Sequence, residues 1–251
     1  MRALHTLLIA HLLACLGPNA DGSKIINGTK AAKNSMPYMA ALLSGSAVAC
    51  GGFLIRDDFV LTAAHCVHVT HVVLGTNNVR DGDGLKLSIV KAIKHECYDS
   101  NNLKKGWDIM LLKLQTKVPL GGKIKTIDLS TTAIGPRVEC QVAGWGAIKS
   151  NGAVVDDLTV VDVSTVGLKA CQDKWLQLSD NVICAGGHDT GKGFCQGDSG
   201  GPLVCNGKAA GIVSFNCNKR CDYKEDSELP NVYTDVSKYV DWIRENIIAN
   251  E

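Results

Sequence analysis

The sequence predicts an all-β protein, a sandwich or barrels, ending in a single helix. Two observations predict the β class. Short apolar runs recur along the chain, and Gly, Asn and Asp clusters such as Asp81-Gly-Asp-Gly84 and Ser150-Asn-Gly152 separate them. Strands at such regular spacing favour a sandwich or barrels over a parallel sheet. A third observation marks the helix: Val236, Val240, Ile243 and Ile247 step by four, three and four. That spacing puts them on one helical face, with Asp235 placed to cap it.

The elements follow in order. Arg2 precedes an apolar stretch, Leu7–Leu16, broken only by His11, and Ala20-Asp21-Gly22 offers small residues for a signal peptidase. The stretch is shorter than the ~20 apolar residues a membrane span needs, and no later segment is long and apolar enough either. It reads as a signal peptide over residues 1–22, hence a secreted protein with no membrane partner. Expected strands are Tyr38–Leu43, Gly52–Ile55, Phe59–Leu61, Val72–Leu74, Leu85–Ile93, Ile109–Leu114, Val138–Val142, Thr159–Val163, Pro202–Cys205 and Gly211–Phe215. Thr131–Pro136 is the expected boundary between two halves, residues 25–132 and 133–251.

At 251 residues the chain can bury one large core or two modest ones. Its formal charge is +1, and without residues 1–24 it loses Arg2, Asp21 and Lys24 and becomes neutral. Such a balance offers no basic stripe to nucleic acid or to an anionic membrane. Of 11 cysteines, Cys15 lies in the leader. The other ten, dense and even in number, read as a disulfide framework in an oxidising compartment, with connectivity left open. No CxxC pair argues for structural zinc.

Three segments carry chemistry. Gly197-Asp-Ser-Gly-Gly-Pro202 brackets Ser199 with glycines, which lets backbone amides converge on one point, as a developing oxyanion requires. A serine hydroxyl needs a base to become a nucleophile. Thr62-Ala-Ala-His-Cys66 supplies His65 at the end of an apolar strand, with Cys66 as its anchor. The base needs a carboxylate to fix its tautomer, and Asp108 opens the run Ile109–Leu114. His, Asp and Ser together form a hydrolytic triad. His65, His68 and His71 recur at three-residue steps. No ligating carboxylate accompanies them, so no metal and no cofactor is expected.

The motifs Ile25-Ile-Asn-Gly28, Thr62–Cys66, Asp108-Ile-Met-Leu-Leu112, Gly144-Trp-Gly146 and Gly197–Pro202 resemble the trypsin/chymotrypsin-like serine proteases over nearly all of residues 25–251. The resemblance implies two six-stranded antiparallel β-barrels with the active site between them. It implies a secreted endopeptidase acting on protein substrates, open to protease inhibitors and made as a zymogen. Cleavage after Lys24 would free Ile25, whose amine would pair with Asp198 and order an oxyanion hole of the Gly197 and Ser199 amides. The dipeptide Ser23-Lys24 resembles the propeptides of the granzyme and mast-cell protease branch, some of whose members are stored in secretory granules. The activating peptidase is left open between a dipeptidase and a trypsin-like enzyme.

By the same resemblance Cys50 pairs with Cys66, Cys140 with Cys205, Cys171 with Cys184, and Cys195 with Cys221. Cys97 and Cys217 are left over. Cys97 resembles the cysteine through which granzyme A forms a disulfide-linked homodimer; a free thiol and a Cys97–Cys217 bond are the alternatives. In trypsin-like enzymes an aspartate six residues before the serine pairs with a basic substrate side chain. Here that position is Gly193, so the tryptic pattern is broken. Phe194 is expected to narrow the pocket, Asn216 and Asn231 to stand in its walls, and Ser214 to bind substrate backbone. The expected preference at P1, the substrate residue before the cleaved bond, is an uncharged, small or medium side chain with amide character. Asp189 falls out of register, and the acidic run Asp222–Glu228 reads as a solvated face. Asn27-Gly-Thr29 is the sole glycosylation sequon, poorly placed beside the new terminus. The alternative function is a protease-shaped binding or antimicrobial granule protein without catalysis.

Overall fold

A computed structural model of the protein describes residues 25–187, 190–217, 220, 221, 223 and 229–251. The expected leader, Ser23-Lys24, Asp189 and all of the acidic run except Tyr223 lie outside the described residues. Thirteen strands, β1 (Thr29–Lys30), β2 (Met39–Ser44), β3 (Ala47–Arg56), β4 (Phe59–Thr62), β5 (His71–Leu74), β6 (Leu85–Lys94), β7 (Met110–Leu114), β8 (Glu139–Gly144), β9 (Thr159–Val166), β10 (Val182–Gly187), β11 (Pro202–Cys205), β12 (Lys208–Phe215) and β13 (Pro230–Asp235), carry the fold. Helix α1 (Leu168–Lys174) lies between β9 and β10, and α2 (Val240–Ile248) ends the chain.

Strands β2-β3-β4-β7-β6-β5 close into one antiparallel barrel. Strands β8 to β13 form the second, in the order β9-β10-β13-β12-β11-β8, shut by the β8–β9 pairing. Closure removes sheet edges. Alternation sets which residues point inward: in β9 the buried Thr159, Val161, Val163 and Thr165 alternate with more exposed neighbours. Each expected strand overlaps one of these elements, with Tyr38, Ile109 and Val138 falling one residue before the observed start. β1, β10 and β13 were not foreseen, and neither was α1, whose seven residues bury only Cys171.

Strands β2–β7 lie before residue 132 and β8–β13 after it, while the two ends of the described chain cross to the opposite barrel. Ile25 is buried among Val142, Val161, Phe194 and Val213 of the second barrel, Ile26 bridges to Gly193, and β1 pairs with β9. In the other direction, Val236, Tyr239 and Ile243 of the C-terminal segment pack into the first barrel's core. The expected single helix is broken there: Asp235 caps a short 3-10 turn, Val236–Lys238, and α2 starts after it. Each terminus carries apolar residues that find unfilled surface on the opposite barrel, so the ends strap the barrels together. No helix among the described residues is long and apolar enough to cross a membrane.

Candidate active site

The site sits where the barrels meet, and each barrel contributes part of it. His65 follows β4, held by the Cys50–Cys66 disulfide that ties its loop to β3. Asp108 lies just before β7 and is fully buried. Its Oδ1 accepts from the His65 backbone N–H at 3.0 Å, and its Oδ2 lies 2.7 Å from His65 Nδ1. Ser214 of β12 donates its hydroxyl to the same Oδ2 at 2.5 Å, and Thr234 of β13 donates to the Asp108 carbonyl at 3.0 Å. A buried carboxylate requires such donors. They come from both barrels, so Asp108 is a knot between them. The Ser214 hydroxyl contact was not legible in the sequence, because the partners stand 106 residues apart.

Ser199 is half-buried on the loop before β11. Its carbonyl accepts from Gly51 N–H at 2.8 Å, one residue from the Cys50 disulfide that anchors His65. Gly200 has φ +80°, and a Cβ there would lie 2.1 Å from Thr62 Oγ1. Only glycine lets the serine loop approach β3 and β4 this closely. Gly197 has φ +95°, and among the described residues neither its N–H nor that of Ser199 donates to a backbone acceptor.

Asp198 is wholly buried. Its Oδ1 accepts from Gly146 N–H at 2.8 Å and its Oδ2 from Cys195 N–H at 2.9 Å. Burial pushes its carboxyl up to about 7 against the pull of these two amides. The Gly144-Trp-Gly146 motif exists for this carboxylate: a Cβ on Gly144 would sit 2.1 Å from Oδ1, and one on Gly146 2.5 Å from Oδ2. The Asn27 amide donates to the Gly191 carbonyl at 2.6 Å, which keeps the sequon's side chain engaged.

The pocket region corrects one expectation and adds a residue. Phe194 does not narrow the opening. Its ring is 3% exposed and packs edge-on to Tyr233 in the second barrel's core, where an aromatic ring gains most from burial. Tyr223 occupies the space instead. Its hydroxyl donates to the Phe194 carbonyl and accepts from the amides of Asn216 and Asn231, each at 3.1 Å. A Cβ on Gly193 would lie 2.3 Å from Asn231 Nδ2 and 2.8 Å from the Tyr223 ring, so a side chain at this position has no room. Asn231 Oδ1 and the Tyr233 hydroxyl are buried with no hydrogen-bond partner among the described residues. Tyr223 was missed because it lies inside the acidic run, whose charge masks one apolar ring.

The disulfides are Cys50–Cys66, Cys140–Cys205, Cys171–Cys184 and Cys195–Cys221. Cys97 is free and exposed, and Cys217 is free and half-buried, so no Cys97–Cys217 bond forms within the chain. The three histidines of the His65 segment part company: His65 faces Asp108, while His71 bonds to Thr70.

Two closed barrels that pool a histidine, a buried aspartate and a glycine-bracketed serine define a serine endopeptidase, a hydrolase of protein substrates. Comparison with known proteins agrees. The family model described as Trypsin matches residues 25–243. Duodenase-1 of Bos taurus is 40% identical over 245 residues, 94% of each chain. Mast cell protease 3 of Ovis aries is 38% identical over 242 residues, 93% of each chain. The solved structure of neuropsin, described as a serine protease expressed in the limbic system of mouse brain, superposes with a TM-score of 0.81. It is 33% identical and covers 88% of this chain and 98% of its own. The chain belongs to the trypsin family.

Proposed function

We propose that the protein is a catalytically active endopeptidase that takes an uncharged P1 side chain, and that cleavage after Lys24 switches it on. The observation that carries the catalytic reading is Asp108, buried and aimed through Oδ2 at His65 Nδ1 at 2.7 Å. With Nδ1–H donated to the carboxylate, Nε2 is left to take the Ser199 hydroxyl proton as Oγ attacks the substrate carbonyl. The Gly197 and Ser199 amides would hold the oxyanion. His65 then returns its proton to the leaving amine, and water opens the acyl-enzyme by the reverse sequence.

Activation rests on Asp198. In the uncleaved chain its carboxyl is buried with two amides and a pKa near 7, and an ammonium at Ile25 would supply the missing counter-charge. Ile25 already lies in the second barrel's core. The division of the precursor into a leader, an activation dipeptide and one peptidase domain belongs to this reading, as do secretion with granule storage and a granzyme-like place in the family.

Specificity follows from Gly193, which brings no charge, and from the amide of Asn231 beside it. Gly193 offers an Arg or Lys no carboxylate, and the amides of Asn216 and Asn231 gathered on the Tyr223 hydroxyl make this region polar but uncharged. A non-catalytic protein would be favoured by a pocket blocked at Phe194, and that side chain lies in the core. Hydrolysis of a peptide panel varied at P1, with protein cleaved after Lys24, tests this. Turnover after Asn, Gln, Ser or Thr and none after Arg is expected; preferential cleavage after Arg would overturn the pocket reading, and a silent panel the catalytic one.

A further inference from the structure

Away from the cleft, one group of metal-ligating side chains lies together among the described residues: His95, Glu96 and Cys97, with donor atoms within 4.8 Å of one another. They follow the end of β6. The His95 backbone N–H donates to the Ile109 carbonyl at 3.1 Å, which pins this turn to β7's lead-in. Its imidazole is wedged between Tyr239 and Trp242, with ring centroids at 5.2 and 5.3 Å.

The carboxylate is oriented as well. Trp242 Nε1–H donates to Glu96 Oε2 at 3.1 Å, and Oε1 lies 3.8 Å from His95 Nε2. Two donors each about 2.0–2.2 Å from one ion reach such a separation at a wide tetrahedral angle. A ligating carboxylate held by an outer hydrogen bond is the usual support of a metal site. Cys97 adds an exposed, unpaired sulfur. A mixed N, O and S set of this kind suits zinc over calcium or magnesium.

We propose that His95, Glu96 and Cys97 bind one zinc-class divalent cation, with water in the fourth position. Cys97 binds as the thiolate and its proton goes to solvent. Ligation through Nε2 moves the ring proton to Nδ1. The 3.2 Å contact from Cys97 N–H to Nδ1 is then given up as the turn settles around the ion. The site touches neither His65 nor Ser199. It gives Cys97 a partner other than a second chain, because a ligated thiolate is not available for an interchain disulfide.

Cobalt(II), titrated into the full-length chain with its free thiols reduced, reports ligation through the thiolate-to-cobalt charge-transfer band. The band is expected in the wild type and in Cys217→Ser, absent in Cys97→Ser, and about tenfold or more weaker in affinity in Glu96→Gln. Zinc should displace it and slow alkylation of Cys97 about tenfold. Glu96 and Cys97 are exposed, and unchanged melting temperatures of the metal-free variants will establish that both substitutions leave the fold intact. No band in the wild type, or an equal band in Cys97→Ser, overturns the proposal. So does a chain recovered without reductant wholly as a Cys97-linked dimer that zinc does not prevent.

Discussion

The two barrels share a strand count and differ in what fills them. The first encloses one continuous apolar cluster, from Leu42 and Phe53 through Leu61 to Leu111, and carries a single disulfide. The second breaks its apolar residues into smaller groups around Ile25, Cys171 and Cys195, carries three disulfides, and buries Asp198, Asn231 and Thr234. The difference separates two tasks. The uniform apolar core backs the histidine–aspartate pair from one side. The more polar interior lined with glycines holds the serine loop and the buried Asp198 and Asn231, on which the proposed activation and specificity rest. Disulfides make up for the apolar contacts that those polar groups displace.

The largest test cuts the knot between the barrels. Asp108→Asn should lower kcat/KM about 10⁴-fold with little change in melting temperature, since the isostere keeps the shape but loses the tautomer control. A loss under about tenfold in steady-state peptide hydrolysis would detach Asp108 from catalysis.

The next test concerns the second barrel alone. The folded pKa of Asp198, near 7, stands above its ordinary 3.8. Below about pH 4 both states bind the proton and this stability is fully present; it is lost as pH rises toward 7. The uncleaved chain should lose roughly 4 kcal/mol or less over that window, and Asp198→Asn should flatten the curve in denaturant titrations. Cleavage after Lys24 should remove the slope, because an ammonium partner favours the ionised carboxylate. An identical slope before and after cleavage would refute the pairing.

For the first barrel, Leu54→Ala opens a cavity in the continuous core and should cost about 2–5 kcal/mol in thermal unfolding. The molecules that remain folded should keep their kcat/KM. A loss of turnover out of proportion to folding would show that the two tasks are not separable.

The smallest effect lies in the pocket. Gly193→Asp alone should fail to confer cleavage after Arg, because a side chain there collides with both the Asn231 amide and the Tyr223 ring. Gly193→Asp with Asn231→Gly and Tyr223→Ala should gain it, read as a rise in the Arg-to-Asn ratio of kcat/KM. Equal gains from the single and triple variants would mean that Asn231 and Tyr223 move freely.

Much of this was legible beforehand because it is local. The glycines around Ser199, the Ala-Ala-His-Cys segment and the apolar run after Asp108 each state their chemistry within a few residues. Short apolar runs between Gly, Asn and Asp clusters announced most strands of both barrels as well. β13 was harder to see, since Pro230–Asp235 mixes Asn231, Thr234 and Asp235 with its apolar residues and reads as no apolar run. The resemblance, not the periodicity, supplied the barrel count and the disulfide pairs.

By itself the sequence determined the β class, the reactive trio and the absence of an acid at Gly193, because composition and short-range pattern decide these. Only the tertiary structure decided that Ser214 secures Asp108, that Gly144 and Gly146 make room for Asp198, and that the chain ends exchange barrels. It also sent Phe194 into the core and brought Tyr223 beside Gly193. Those outcomes are contacts between residues far apart in the chain, chosen by which arrangement buries apolar surface while leaving each buried polar group a partner, and no local pattern encodes that choice.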